Sequence, residues 1–198
     1  MNQWDWRTTK AELSVSSLQP QASYWVKRYA PLIPRDGVVL DLACGAGRHA
    51  QYLALSGYSV LAVDRDISAL QQAHTLRIEP QQLDLEGPNW PLAGRYFSGV
   101  VVTNYLYRPF LGELPLMLVE GGILIYETFA QGNGVFGKPS NPDFLLNAGE
   151  LLAFAANHGL KVLAYEDIYT EDPKPAKIQR ICAVKGELKE RIPLQFHG

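Results

Sequence analysis

Two aspartates, Asp41 and Asp64, each close a short apolar run, a third, Asp84, ends the strand read over about 76–83, and a glycine-rich segment, Ala43-Cys44-Gly45-Ala46-Gly47, follows the first of them. A glycine turn between a strand and a helix lets a ligand approach the backbone where side chains would block it, beside unpaired helix N–H groups. An acid closing the next strand, here Asp64, is placed to accept both hydroxyls of a ribose. The chemistry offered is therefore recognition of a nucleoside or nucleotide. Residues 45–50, Gly-Ala-Gly-Arg-His-Ala, even satisfy the G-x-G-x-x-A spelling of a dinucleotide site. Asp41 argues against that spelling, because a dinucleotide would set a doubly charged pyrophosphate beside it. Two unit charges 4 Å apart repel by roughly 4 kcal/mol at an effective dielectric of 20. A cationic nucleoside reverses the sign.

With Asp41, Gly45 and Gly47 in these positions, the segment resembles motif I of the class I S-adenosylmethionine-dependent methyltransferases. The first glycine of their D-x-G-x-G-x-G pattern is Ala43 here, a departure that suggests an ordinary backbone conformation at that residue. The resemblance implies S-adenosylmethionine as cofactor, held by Asp41, Ala43, Gly45, Gly47, Asp64, Arg65, Asp84, Leu85 and Asn104. Within that set Asp64 would take the ribose, Asp84 the adenine amino group, and Asn104 would sit near the transferable methyl. Asn104-Tyr105-Leu106-Tyr107-Arg108-Pro109 resembles motif IV but lacks the Asn/Asp-Pro-Pro-Tyr form of enzymes that methylate amino groups of DNA bases, so base flipping loses support. Asn104 and Tyr105 are the catalytic candidates, and Tyr107, Arg108 and Glu127 the substrate candidates. Together with VVTNYLYRPF and ETFAQGNGVFGKPSNPDFLL, the chain is similar to a bacterial branch related to the tellurite-resistance methyltransferases, over roughly residues 35–185.

A methyl on a sulfonium is already activated, so the work left to such a protein is alignment of the nucleophile and exclusion of water. No general base is obligatory, and none stands out; His49, one turn into the helix, is expected to face the sheet. The rival readings are an NAD-dependent oxidoreductase, a non-catalytic cofactor-binding or regulatory module, and an aminopropyl transferase on the same fold.

The elements that must position these residues follow from periodicity. Val38 to Asp41 reads as a strand, the next stretch as a helix burying Ala50, Leu53 and Ala54 and stopping at Gly57, and Ser59 to Asp64 as a second strand. A crossover of that length implies parallel strands covered by helices. A second helix, with Leu70 and Ala73 on its apolar side, leads to a third strand over about 76–83. Residues 87–96 hold too many turn formers for a helix. Gly99–Thr103 reads as a central strand buried on both faces. A helix over about 111–119, a strand over 123–129, a helix over about 148–157, and strands over 160–165 and 177–184 complete the pattern. The carboxylate of Glu127, breaking an apolar strand, is either a site residue or the buried partner of an arginine. The long connection between Phe129 and Ala148, rich in Gly, Asn and Pro, reads as functional or disordered.

The fold class expected is α/β, a Rossmann-like doubly wound seven-stranded sheet, mostly parallel with an antiparallel C-terminal hairpin strand. Residues 1–37 form an N-terminal helical cap carrying Trp4, Trp6, Tyr24 and Trp25, packed at the sheet edge or closing as a lid; 38–185 form the cofactor-binding domain, and 186–198 a tail. At 198 residues, 47 % of them hydrophobic and 19 % charged, with a formal net charge of −2, the chain has the composition of one soluble domain without a broad nucleic-acid footprint. Two cysteines without metal-ligand spacing exclude a zinc ribbon or disulfide framework. No 18-residue apolar run or leader is visible, so the expected setting is cytoplasmic, with a small-molecule substrate, no metal and no membrane partner.

Overall fold

A computed structural model of the protein describes residues 21–71, 77–189 and 193–194. A seven-stranded sheet forms its middle layer: β1 (Val38–Leu42), β2 (Ser59–Asp64), β3 (Ile78–Gln82), β4 (Phe97–Thr103), β5 (Leu118–Phe129), β6 (Leu160–Thr170) and β7 (Ala176–Lys185). Their order is β3-β2-β1-β4-β5-β7-β6. β3, β2, β1, β4 and β5 are mutually parallel, while β7 runs antiparallel between β5 and β6. β4 is buried along its whole length, as a strand covered on both faces must be.

Among the described residues five helices cover the sheet: α1 (Tyr24–Tyr29), α2 (Arg48–Leu55), α3 (Ser68–Gln71), α4 (Glu113–Leu116) and α5 (Glu150–Asn157). Side chains of α1, α2 and α3 join Val39, Val101, Ile125 and Cys182 in one apolar layer. Those of α4 and α5 join Leu40, Val102, Tyr126 and Ala183 in the other. At six residues α1 is far too short to hold itself together in water. It is fixed by burial of Trp25, whose indole N–H donates to the Ile181 carbonyl at 3.2 Å, and by the Ser23 hydroxyl capping Val26 N–H. Trp25 therefore sits over β5 and β7, inside the sheet rather than at its edge. Trp4, Trp6 and Ala73 lie outside the described residues.

Several elements depart from the sequence reading. The helix expected over 111–119 is one turn, Glu113–Leu116, because Pro109 and Pro115 remove backbone donors. The freed residues extend β5 back to Leu118, bent at Gly121, whose φ of 75° favours glycine. The C-terminal hairpin is longer than expected: β6 starts at Leu160 as read but runs on to Thr170, and β7 gains one residue at each end. Residues 87–96 form turns without a helix, as their composition demands.

Candidate active site

The strand ends converge on the glycine turn. Asp41, the fourth residue of β1, is fully buried; its Oδ2 accepts from Ala50 N–H in the first turn of α2 at 2.8 Å. Its other oxygen, Oδ1, has no hydrogen-bond partner among the described residues. Burial raises the Asp41 carboxyl to about 7, against the pull of the Ala50 N–H. Such an orphaned acceptor fits a cationic or hydrogen-bond-donating ligand.

Gly45 and Gly47 both have positive φ, 54° and 78°. A Cβ on Gly47 would lie 2.1 Å from Leu70 Cδ2, so this position admits only glycine, whereas Gly45 faces open space. Ala43 also has a φ of 54°. The ordinary conformation expected there is therefore incorrect. The turn demands the left-handed geometry that the family's glycine supplies, and alanine adopts it at a cost of roughly 1–2 kcal/mol.

Asp64 reaches back to this turn: Oδ2 accepts Gly45 N–H at 2.8 Å and Oδ1 accepts Asp66 N–H at 3.1 Å. Each carboxylate oxygen keeps a second lone pair, so the same group can order the empty turn and still accept a ribose hydroxyl. Arg65 is exposed beside it, its carbonyl taken by the Gln82 amide. Asp84 is exposed and turns the chain by accepting Glu86 N–H, while Leu85 is buried. Asn104, at the end of β4, has a φ of 54° and donates its N–H to the Glu127 carbonyl at 2.9 Å.

His49 is buried and faces the sheet, as its position on the helix suggests. Its Nε2 accepts the Ser23 backbone N–H at 3.2 Å, so the ring proton resides on Nδ1, which donates to Thr103 Oγ1 at 3.2 Å. Burial lowers its pKa to about 3. A ring so committed joins α1, α2 and β4 and is not free to act as a base.

Beyond Asn104 lies a cavity of about 260 Å³ lined by Glu86, Asn104, Tyr105, Leu106, Thr128, Phe129, Pro139 and Phe144. The catalytic candidates Asn104 and Tyr105 both border it. Burial pushes the Tyr105 phenol up, so the group is neutral, and its hydroxyl finds no partner among the described residues. The three substrate candidates do not border it. The Tyr107 hydroxyl donates to the Glu86 carbonyl at 3.3 Å. The Glu127 carboxylate takes the arginine branch of its two readings, meeting Arg180 Nη1 at 3.2 Å, with that guanidinium 4.7 Å from the Trp25 ring.

Arg108 is spent on the chain itself. Its Nε and Nη2 donate to the two oxygens of Glu150 at 2.8 and 2.9 Å, Nη1 to the Asp143 carbonyl at 2.7 Å and Nη2 to the Leu145 carbonyl at 2.8 Å. Burial pushes the Glu150 carboxyl up, but Arg108 and the Asn147 N–H outweigh it and hold the carboxyl below its ordinary value. This clamp orders the segment that sequence left as functional or disordered. Asn133 completes the ordering, donating to the Pro139 carbonyl at 2.9 Å and accepting Lys177 N–H at 3.1 Å. Pro139 and Phe144, which wall the cavity, come from this segment.

Glu86, Leu106, Thr128, Phe129, Pro139 and Phe144 were not among the site residues named from sequence. The length and composition of the 130–147 connection were the one signal pointing toward the last two.

Residues 39–121 match the model of a family described as a methyltransferase domain. This segment is similar to methyltransferase domains. The chain is similar in fold to TehB from Haemophilus influenzae, at 20 % identity and a TM-score of 0.64, over 81 % of this chain and 61 % of that one. The chain thus spans under two thirds of that protein's length. A TehB-like S-adenosylmethionine-dependent methyltransferase from Corynebacterium glutamicum aligns at 19 % identity and a TM-score of 0.61, over 90 % of this chain and 96 % of its own. A Burkholderia thailandensis 1,6-didemethyltoxoflavin-N1-methyltransferase, with 1,6-didemethyltoxoflavin and S-adenosylhomocysteine bound, aligns at 18 % and 0.62, over 82 % of this chain and 76 % of its own. No curated protein matches by sequence. The seven-stranded, mostly parallel sheet with its antiparallel β7 is the fold class expected from the sequence. No helix among the described residues is long and apolar enough to cross a membrane.

Proposed function

We propose that the protein transfers a methyl group to a small-molecule acceptor held in the cavity beyond Asn104. The observation that carries this reading is the position of that cavity at the C-terminal ends of β4 and β5, where Asn104, the residue that follows β4, lines the cavity wall. Ligands of open α/β sheets bind outside those strand ends, at the point where strand order reverses. The 1,6-didemethyltoxoflavin bound to the Burkholderia methyltransferase supports an acceptor that is a small molecule.

When bound, S-adenosylmethionine supplies a methyl already activated by its sulfonium. The residues suited to hold it are those of the glycine turn: Asp41 through its orphaned Oδ1, Gly45 through its open face, and Asp64 through its remaining lone pairs, with Asp84 and Leu85 at the base. Asn104 and Tyr105 orient the acceptor, and Leu106, Phe129 and Phe144 keep water from it. Asn104 and Tyr105 would hold the acceptor's lone pair toward that methyl, and a proton left on the acceptor would pass to water. No side chain at the cavity is set up as a strong base, which suits an acceptor that is already nucleophilic.

Calorimetry with S-adenosylhomocysteine and NAD, followed by labelled methyl transfer into a metabolite pool, tests the reading. Binding of the former alone, with label recovered in a compound of low mass, is the expected result. Label recovered only in protein or nucleic acid would overturn the choice of acceptor class.

A further inference from the structure

The acceptor cavity has an outer neighbour of about 500 Å³, lined by Phe129, Lys138, Pro139, Ser140, Asn141, Phe144 and Lys174. Phe129, Pro139 and Phe144 belong to both cavities, so a molecule seated in the inner one meets the outer one across these three side chains. Charge is divided between them: the inner wall carries Glu86, and the outer carries two lysines with no carboxylate among its lining residues.

The two lysines stand apart from the rest. Lys27 donates to Gln21, Lys161 pairs with Glu187, Lys177 with Asp167 and Lys189 with Asp36, and Lys185 donates to the carbonyls of Pro115 and Leu118. Among the described lysines only Lys138 and Lys174 have no hydrogen bond or ion pair, and both border this one cavity. They come from different segments, the connection after β5 and the β6–β7 turn. Ser140 and Asn141 line the same cavity, and Asn141 uses its carbonyl oxygen, not its NH₂ group, to cap Asp143 N–H. Ammonium, hydroxyl and amide N–H are the donors that a carboxylate or similar anion accepts.

We infer that the acceptor is an aromatic or similarly flat apolar molecule carrying an anionic group. Its apolar body lies against Phe129, Pro139 and Phe144, its anion faces Lys138 and Lys174, and its nucleophilic end points to Asn104. The opposite orientation would set the anion against Glu86. This rests on the reading of the inner cavity as the acceptor site.

Titration of 2-naphthoate, 2-naphthamide and 2-naphthylmethylammonium, each with and without S-adenosylhomocysteine, tests the inference on the whole chain. Naphthoate is expected to bind most tightly and the ammonium least. Lys138→Gln with Lys174→Gln should weaken naphthoate by about tenfold, the size expected of two exposed ion pairs, and leave the naphthamide within about twofold. Both lysines are exposed, so the double variant retains the fold. Phe144→Ala should weaken naphthoate and naphthamide alike. Equal binding of naphthoate and naphthamide, no binding of either, or naphthoate affinity unchanged in the double variant overturns the inference. If naphthoate discriminates while S-adenosylhomocysteine fails to bind, the anionic site stands and the methyl-transfer reading falls. If the cofactor binds and naphthoate shows no preference, that reading stands and this one falls.

Discussion

Asp41 and His49 are both buried near the glycine turn, and burial moves their titrations in opposite directions. Asp41 is raised from 3.8 to about 7, so between those values the folded chain holds a proton that the unfolded chain has released. Its contribution to stability is present at low pH and is lost as pH rises through that window. His49 is lowered from 6.5 to about 3, so there the unfolded chain holds the extra proton, and stability is lost as pH falls. Each group alone gives a slope of about 1.4 kcal/mol per pH unit, and between about pH 4 and 6.5 the two slopes cancel. Asp41→Asn should expose the His49 slope, giving a midpoint of urea unfolding that falls on acidification from pH 6.5 to 4. A wild type whose midpoint falls as steeply as the variant's would show that Asp41 is ionised in the free protein.

Among the elements, the connection between β5 and α5 shows how a cation can serve a site without touching its ligand. Arg108 leaves β4's end and clamps residues 143–150, and this clamp sets Phe144 against the cavity. Arg108→Lys keeps the charge but cannot reproduce a planar fork that meets a carboxylate and two carbonyls together. Loss of hydrogen bonds to a charged group costs about 1.5–3 kcal/mol. The expected result is faster amide exchange over 142–147 and weaker binding of aromatic ligands, with S-adenosylhomocysteine affinity unchanged within about twofold. If cofactor affinity falls in step, the clamp supports the glycine turn instead. Trp25 does the corresponding work for α1. Trp25→Ala should cost about 3–5 kcal/mol in denaturant unfolding, since it empties a fully enclosed indole site and exposes the Arg180 guanidinium beside it. A loss under about 1 kcal/mol would mean that α1 is held mainly by its backbone contacts.

At the scale of the molecule, legibility followed sequence distance. The β1–α2–β2 unit could be read because doubly covered strands are apolar runs and glycine marks the turn and the helix end. The acceptor wall could be read only in part: Asn104 and Tyr105 stood out at a strand end, but Glu86, Leu106, Thr128, Phe129, Pro139 and Phe144 join them only through the order β1-β4-β5, in which neighbours in space are far apart in the chain. Arg108 was visible as a cation, but Glu150, 42 residues on, was not visible as its partner. Ala43 was misread because the turn's geometry is fixed by Gly45, Gly47 and Asp64 around it, not by the preference of alanine.

That division of the sheet also yields a prediction about the whole fold. The residues suited to the cofactor lie at the ends of β1, β2, β3 and β4, whereas β6 and β7 contribute none. A ligand that ties four strand ends together should slow exchange of the amides it orders and leave the hairpin at its own opening free energy. Binding at 100 times the dissociation constant adds about 2.7 kcal/mol of global stability, and this reaches the hairpin only through complete unfolding. With S-adenosylhomocysteine bound, protection is expected to rise at 43–47, 64–66, 84–86 and 104–105. Residues 160–170 and 176–185 should exchange as before under conditions where local opening dominates. Asp64→Ala removes the acceptor shared by Gly45 N–H and the ribose, so it should speed exchange at 43–47 in the free protein and reduce the added protection. Protection that instead centres on the β6–β7 hairpin would move the cofactor off the glycine turn.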